Sequence, residues 1–88
     1  MKHTTSRRFW KCFDALPTEV QAVARKNFEL LKQDSGHPSL QFKFLGKMYS
    51  ARVGLHHRAL GLPKPEGVHW FWIGSHNDYD NLSDRADP

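Results

Sequence analysis

The sequence predicts an α+β fold, an N-terminal helical hairpin packed on one face of a small twisted antiparallel β-sheet. Three observations predict it. Apolar residues recur at helical period as far as Leu31. From Leu40 the period changes to two, with Gly and Pro placed where hairpins would turn. The 88 residues, 39% hydrophobic with three Trp and six Phe, suffice for a single core.

Thr5 or Ser6 is the expected cap of the first helix. Phe9, Trp10, Phe13 and Leu16 share its apolar face, while Arg7, Arg8, Lys11 and Asp14 take the other. Pro17 interrupts, and Thr18-Glu19-Val20-Gln21 has the pattern of a capping box opening a second helix. There Val20, Val23, Ala24, Phe28 and Leu31 continue the apolar stripe, until Gly36 and Pro38 stop it. So short a link makes the two helices fold back on each other.

In the next segment Leu40, Phe42 and Phe44 alternate with Gln41, Lys43 and Leu45, and Gly46-Lys47 is a tight turn. Tyr49, Ala51 and Val53 then share one face of a strand, with Ser50 and Arg52 on the other. A turn near Leu55-His56 leads into a strand from His57 to Leu62, and Pro63-Lys64-Pro65-Glu66-Gly67 reads as a loop. The last strand, from Val68 to Ile73, carries Trp70 and Trp72 on one face, read as core beneath the helices rather than a stacking platform. It breaks at Gly74-Ser75 and delivers His76 and Tyr79 to the rim of the sheet. One domain over residues 1–82 is expected, with a polar, frayed tail at 83–88.

Several chemistries are disfavoured. Cys12 is the single cysteine, so no internal disulfide and no Cys-based zinc site can form. The six histidines, at 3, 37, 56, 57, 69 and 76, show no metal-ligand spacing. Phosphate-cradling glycine motifs and a nucleophile elbow are absent, so neither a metal nor a small-molecule cofactor is expected. No apolar run approaches the ~18 residues of a membrane helix. Residues 1–6 have no apolar segment behind their basic side chains. A soluble, cytoplasmic protein without membrane contact is the expectation.

Net charge is +4, unevenly spread: residues 1–58 carry 11 Lys/Arg against 4 Asp/Glu, and residues 59–88 carry 2 against 5. A basic platform suits a polyanion or an acidic partner, although a solvated surface explains it equally well. Arg52 and Arg58 flank one hairpin, and on one open face they form a guanidinium pair suited to phosphate, which Lys43 and Lys47 extend. Cationic side chains that merely blunt a sheet edge are the alternative. His76 is a natural general acid or base, and Tyr79 a stacking group or proton donor. The bland alternative makes His76 a turn cap and Tyr79 a packing residue.

Read as a whole, the helical hairpin, then "FKFLGKMYSARVGLHHRALG", then "VHWFWIGSHNDYDNL", resembles the RelE/ParE superfamily of bacterial toxins from type II toxin–antitoxin modules. The most specific parts are Tyr-x-x-Arg-Val-Gly followed by His-Arg-Ala-Leu, and Ile-Gly-Ser-His-x-x-Tyr-Asp. The resemblance implies a short first strand, here about Lys2–Thr5. It also implies a cognate antitoxin as partner. RelE-like members are ribosome-dependent mRNA endonucleases, for which the ribosome and mRNA are partners. ParE-like members instead inhibit DNA gyrase, and a degenerate member would only bind its antitoxin.

On the RelE model Arg52 and Arg58 match the phosphate-holding role. Arg58, His76 and Tyr79 match the catalytic group, and the reaction is attack of a ribose 2′-OH on the adjacent phosphate, which requires no metal. Ser50 stands where a basic residue would help, and the C-terminal third is acidic.

Overall fold

The computed structural model describes residues 2–80. The tail expected at 83–88 lies outside them. In chain order the elements are β1 (Lys2–Thr5), α1 (Arg7–Asp14), α2 (Thr18–Gln33), β2 (Lys43–Phe44), β3 (Tyr49–Val53), β4 (His57–Lys64) and β5 (Gly67–Ser75). Residues 76–80 are helical. The sheet order is β1-β5-β4-β3-β2. The meander from β2 to β5 is antiparallel, as its hairpin turns dictate. β1 joins it parallel to β5, which makes the sheet mixed.

Ser6 caps α1, its Oγ accepting from Phe9 N at 3.1 Å. The capping box expected at Thr18–Gln21 does not form. Pro17 occupies the N-cap of α2 without a side-chain bond, and the Gln21 amide instead turns back to the carbonyls of Phe13 and Leu16. Those carbonyls are orphaned at the end of α1, so Gln21 stitches the two helices together. α1 rests on β5 and α2 over β3, both on the same face of the sheet. The core is where the two layers meet, at Phe9, Phe13, Ala24, Leu31, Leu40, Ala51, Val53, Ala59, Val68, Trp70 and Ile73. Each fully buried large side chain contributes about 1.5–3 kcal/mol.

Three local expectations are corrected. Residues 40–45 form only a two-residue strand, because Pro38–Leu40 winds into a 3₁₀ turn and Gln41 adopts a left-handed conformation at φ 43°. The Pro63–Gly67 loop is mostly strand: β4 runs to Lys64, paired with Gly67, and leaves only Pro65-Glu66 as the turn. Pro63 is tolerated because β3 stops pairing with β4 at Gly61, so the missing N–H of Pro63 faces no neighbour.

Finally, Trp70 and Trp72 do not share a face. Leu60 pairs with Trp72 and Gly61 with Trp70, leaving Phe71 as the extra residue of a β-bulge. Trp70 therefore enters the core beneath the helices, and Trp72 sits on the opposite face.

Candidate functional site

That opposite face carries the candidate chemistry. Arg52 pairs with Arg58, and Arg58 with Gly74, in one row across β3, β4 and β5. The neighbouring row runs Lys43, Ser50, Leu60, Trp72. Gly74 has a reason to be glycine: a Cβ there would lie 2.5 Å from Cζ2 of Trp72, so the indole lies over its backbone. Trp72, only 6% exposed, thus lies over the residue that pairs with Arg58.

Arg58 is held from two sides. Its Nη1 donates to Ser50 Oγ at 3.1 Å, and its guanidinium carbon stands 5.6 Å from the centre of the Tyr79 ring. Ser50 is fully buried, so it belongs to the floor of the site and is an anchor for Arg58 rather than a missing cation. Arg52 Nε donates to the Gly54 carbonyl at 2.9 Å, bending its side chain along the β3–β4 turn. Two like charges directly opposite on neighbouring strands repel each other. Among the described residues neither guanidinium has a carboxylate within ion-pair distance. The arrangement favours a bound anion.

His76 closes the site from the end of β5. Its backbone N–H bonds to the His56 carbonyl, pinning the start of the helical residues 76–80 to the β3–β4 turn. Ser75, not His76, caps these residues, accepting from Asp78 N at 3.1 Å. The His76 ring stacks near Tyr79, with centres 6.0 Å apart, and its Nε2 lies 3.6 Å from Asp80 Oδ2 in an exposed, weak pair. Arg52, Arg58 and His76 line one cleft of about 250 Å³, together with Gln41, Leu55, His56 and His57. Among the described residues no acidic side chain lines it.

The sequence-predicted residues thus divide. Arg52, Arg58 and His76 converge, and Tyr79 joins through its contacts with Arg58 and His76. Lys43 lies on the same face but on the edge strand, opposite Ser50. Lys47 is at the tip of the β2–β3 turn, at the far end of β3 from Arg52, and does not join the cleft. Among the described residues no cluster of metal-ligating side chains occurs. Sequence reasoning missed Gln41, His56 and His57 as members of the cleft and Ser50 as an anchor. The register would have exposed Ser50, since it alternates with Ala51 next to Arg52; no sequence signal marks the left-handed backbone of Gln41.

The architecture has known counterparts. An antitoxin–toxin complex, RelB–RelE from Methanococcus jannaschii, contains a chain that superposes with a TM-score of 0.72 at 12% identity, over 90% of this chain and 96% of that one. The fold is that of the RelE toxins. The RelE–RelB complex of Pyrococcus horikoshii gives 0.64 at 12% identity, over 84% and 92% of the two chains. The isolated E. coli RelE toxin gives 0.61 at 13% identity, over 96% of each. No protein-family model and no curated protein sequence matches the chain. In this chain the helical layer lies on one sheet face and the cleft on the other. No helix of the described residues is long and apolar enough to cross a membrane.

Proposed function

We propose that this chain is the toxin of a toxin–antitoxin module and cuts mRNA on the ribosome. The carrying observation is the convergence of Arg52, Arg58 and His76 in one cleft that no acidic side chain of the described residues lines. The reaction is transphosphorylation. A ribose 2′-oxygen attacks the adjacent phosphorus, the bond to the 5′-oxygen breaks, and a 2′,3′-cyclic phosphate and a 5′-hydroxyl result. Arg58 and Arg52 stabilise the charge that builds on the phosphorane, and His76 exchanges the proton. Tyr79 backs Arg58 and stacks on or orients a base. No step calls on a metal or a cofactor.

The RelB–RelE complexes among the similar structures support an antitoxin protein as the partner of this chain. The ribosome and mRNA are the other partners, which places the activity in the cytoplasm. Lys43 extends the phosphate-binding face from its edge.

The test is transcriptome-wide mapping of new RNA 5′ ends after a brief pulse of expression, with His76→Ala and Arg58→Ala in parallel. New ends at a fixed position within translated codons, lost in both variants, are expected. Growth arrest without new ends would refute the endonuclease reading and direct the search to DNA gyrase. Neither arrest nor new ends would leave antitoxin binding as the function.

A further inference from the structure

Within the cleft one residue is held in a conformation its side chain does not favour. Gln41 has φ 43° and ψ 44°, the left-handed region in which a Cβ meets steric resistance and glycine is the usual occupant. Among the described residues it is the single non-glycine residue with positive φ. Such strain persists where the surrounding structure imposes it, and it concentrates at functional sites.

The position of the strain is informative. Lys43 pairs with Ser50 in the β2–β3 ladder, and Arg52 follows Ser50 by two residues, so Gln41 stands at the Arg52 end of that ladder. From there its exposed side chain lines the same cleft as Arg52, Arg58 and His76. A glycine at 41 would turn the chain at no steric cost but would bring no functional group to the cleft. A glutamine brings a primary amide, which donates and accepts in one plane. That is the pattern with which amide side chains read the edge of a base.

Leu55 completes the setting. It lies on the rim of the same cleft and is 77% exposed, an unusual place for a leucine on a tight turn. Its apolar surface suits the flat face of a base, which single-stranded RNA presents unstacked.

We infer that Gln41 and Leu55 form a nucleobase subsite that reads the base next to the phosphate held by Arg52 and Arg58. This deepens the endonuclease reading and rests on it. The ligand is a single-stranded ribonucleotide, and the base that pairs with an amide edge-on, adenine by its adjacent donor and acceptor, is the favoured one.

The experiment maps 5′ ends after pulsed expression of wild type, Gln41→Gly and Gln41→Leu. The readout is the base preference among the cuts, not their number. Gln41→Gly removes the amide and relieves the backbone; Gln41→Leu removes the amide but keeps the bulk, and thermal melting reports whether each is folded. Both variants are expected to cut with the preference at one flanking position flattened about tenfold, the discrimination of one bidentate amide–base pair. Gln41→Gly is expected to melt no lower than wild type. An unchanged preference in either folded variant overturns the assignment to Gln41 while leaving the endonuclease reading intact. Loss of every cut from both folded variants also overturns it, since base reading alone does not abolish chemistry. If wild type makes no cuts, the endonuclease reading fails and this subsite fails with it.

Discussion

Replacing Ser50 with alanine tests whether the sheet beneath Arg58 holds it in place for chemistry. The Ser50 hydroxyl is fully buried and accepts from Arg58 Nη1 at 3.1 Å. A hydrogen bond to a charged group contributes about 1.5–3 kcal/mol. Arg58 is only half-buried, so after the substitution its guanidinium turns to water, and the cost falls to about 1 kcal/mol. In a domain of this size that lowers Tm by about 4–8 °C.

The functional loss has a different origin. Without the hydroxyl, Arg58 is free to sample several rotamers against the Tyr79 ring, and on the proposed endonuclease function cleavage is expected to fall about tenfold, short of the roughly hundredfold that a 1 Å misplacement costs. The assay is cleavage of a ribosome-bound message by Ser50→Ala, Arg58→Ala and the double variant. If Ser50 acts only through Arg58, the double variant cuts as poorly as Arg58→Ala alone. Losses that multiply, or wild-type cleavage by Ser50→Ala, would refute the reasoning.

Gly74→Ala pushes a methyl to within 2.5 Å of the Trp72 indole, and overpacking of this kind costs about 1–3 kcal/mol. Chemical denaturation should show that loss together with a changed tryptophan fluorescence, and an unchanged midpoint would show that Trp72 does not lie over Gly74. At Gly67 a Cβ would collide with the Lys2 backbone, so Gly67→Ala should peel β1 from the sheet edge. Hydrogen exchange should then speed up in residues 2–5 while β3 and β4 stay protected; continued protection of β1 would contradict the pairing.

His3 supplies a pH dependence. Burial, reinforced by the Lys32 ammonium, holds its pKa below the usual histidine value of 6.5, and its Nδ1 accepts from Trp70 Nε1 at 3.1 Å. The unfolded chain therefore takes up the proton first. This contribution is present above pH 6.5 and is lost as pH falls from there towards the lower folded-state value. Melting temperatures should drop between pH 7 and 5, less steeply in His3→Asn; identical slopes would remove His3 as the cause.

The fold class was legible because it rests on local signals. The stripe from Phe9 to Leu31, the alternation from Tyr49 to Val53 and the glycine turns depend only on neighbours in sequence. The helical hairpin and the antiparallel meander follow from them. Boundaries that depend on a third element were not legible. Pro63 reads as a strand breaker unless β3 is known to end before reaching it. The bulge at Phe71 is invisible in an unbroken aromatic run, yet it sends Trp70 to the core beneath the helices and Trp72 to the opposite face.

The candidate site divides in the same way. By itself the sequence determined which chemical groups were available: two arginines flanking a hairpin, and a histidine and a tyrosine after the last strand. Those are matters of residue type and spacing. Only the tertiary structure decided which of them meet. Strand register sets Arg52 against Arg58 and puts Ser50 beneath the latter. The backbone bond from His76 to His56 brings the end of β5 to the β3–β4 turn, and the left-handed turn at Gln41 delivers an amide no pattern announced. Contacts between residues far apart in the chain depend on how the layers twist and pair, and that information lies in the packing rather than in any one stretch of sequence.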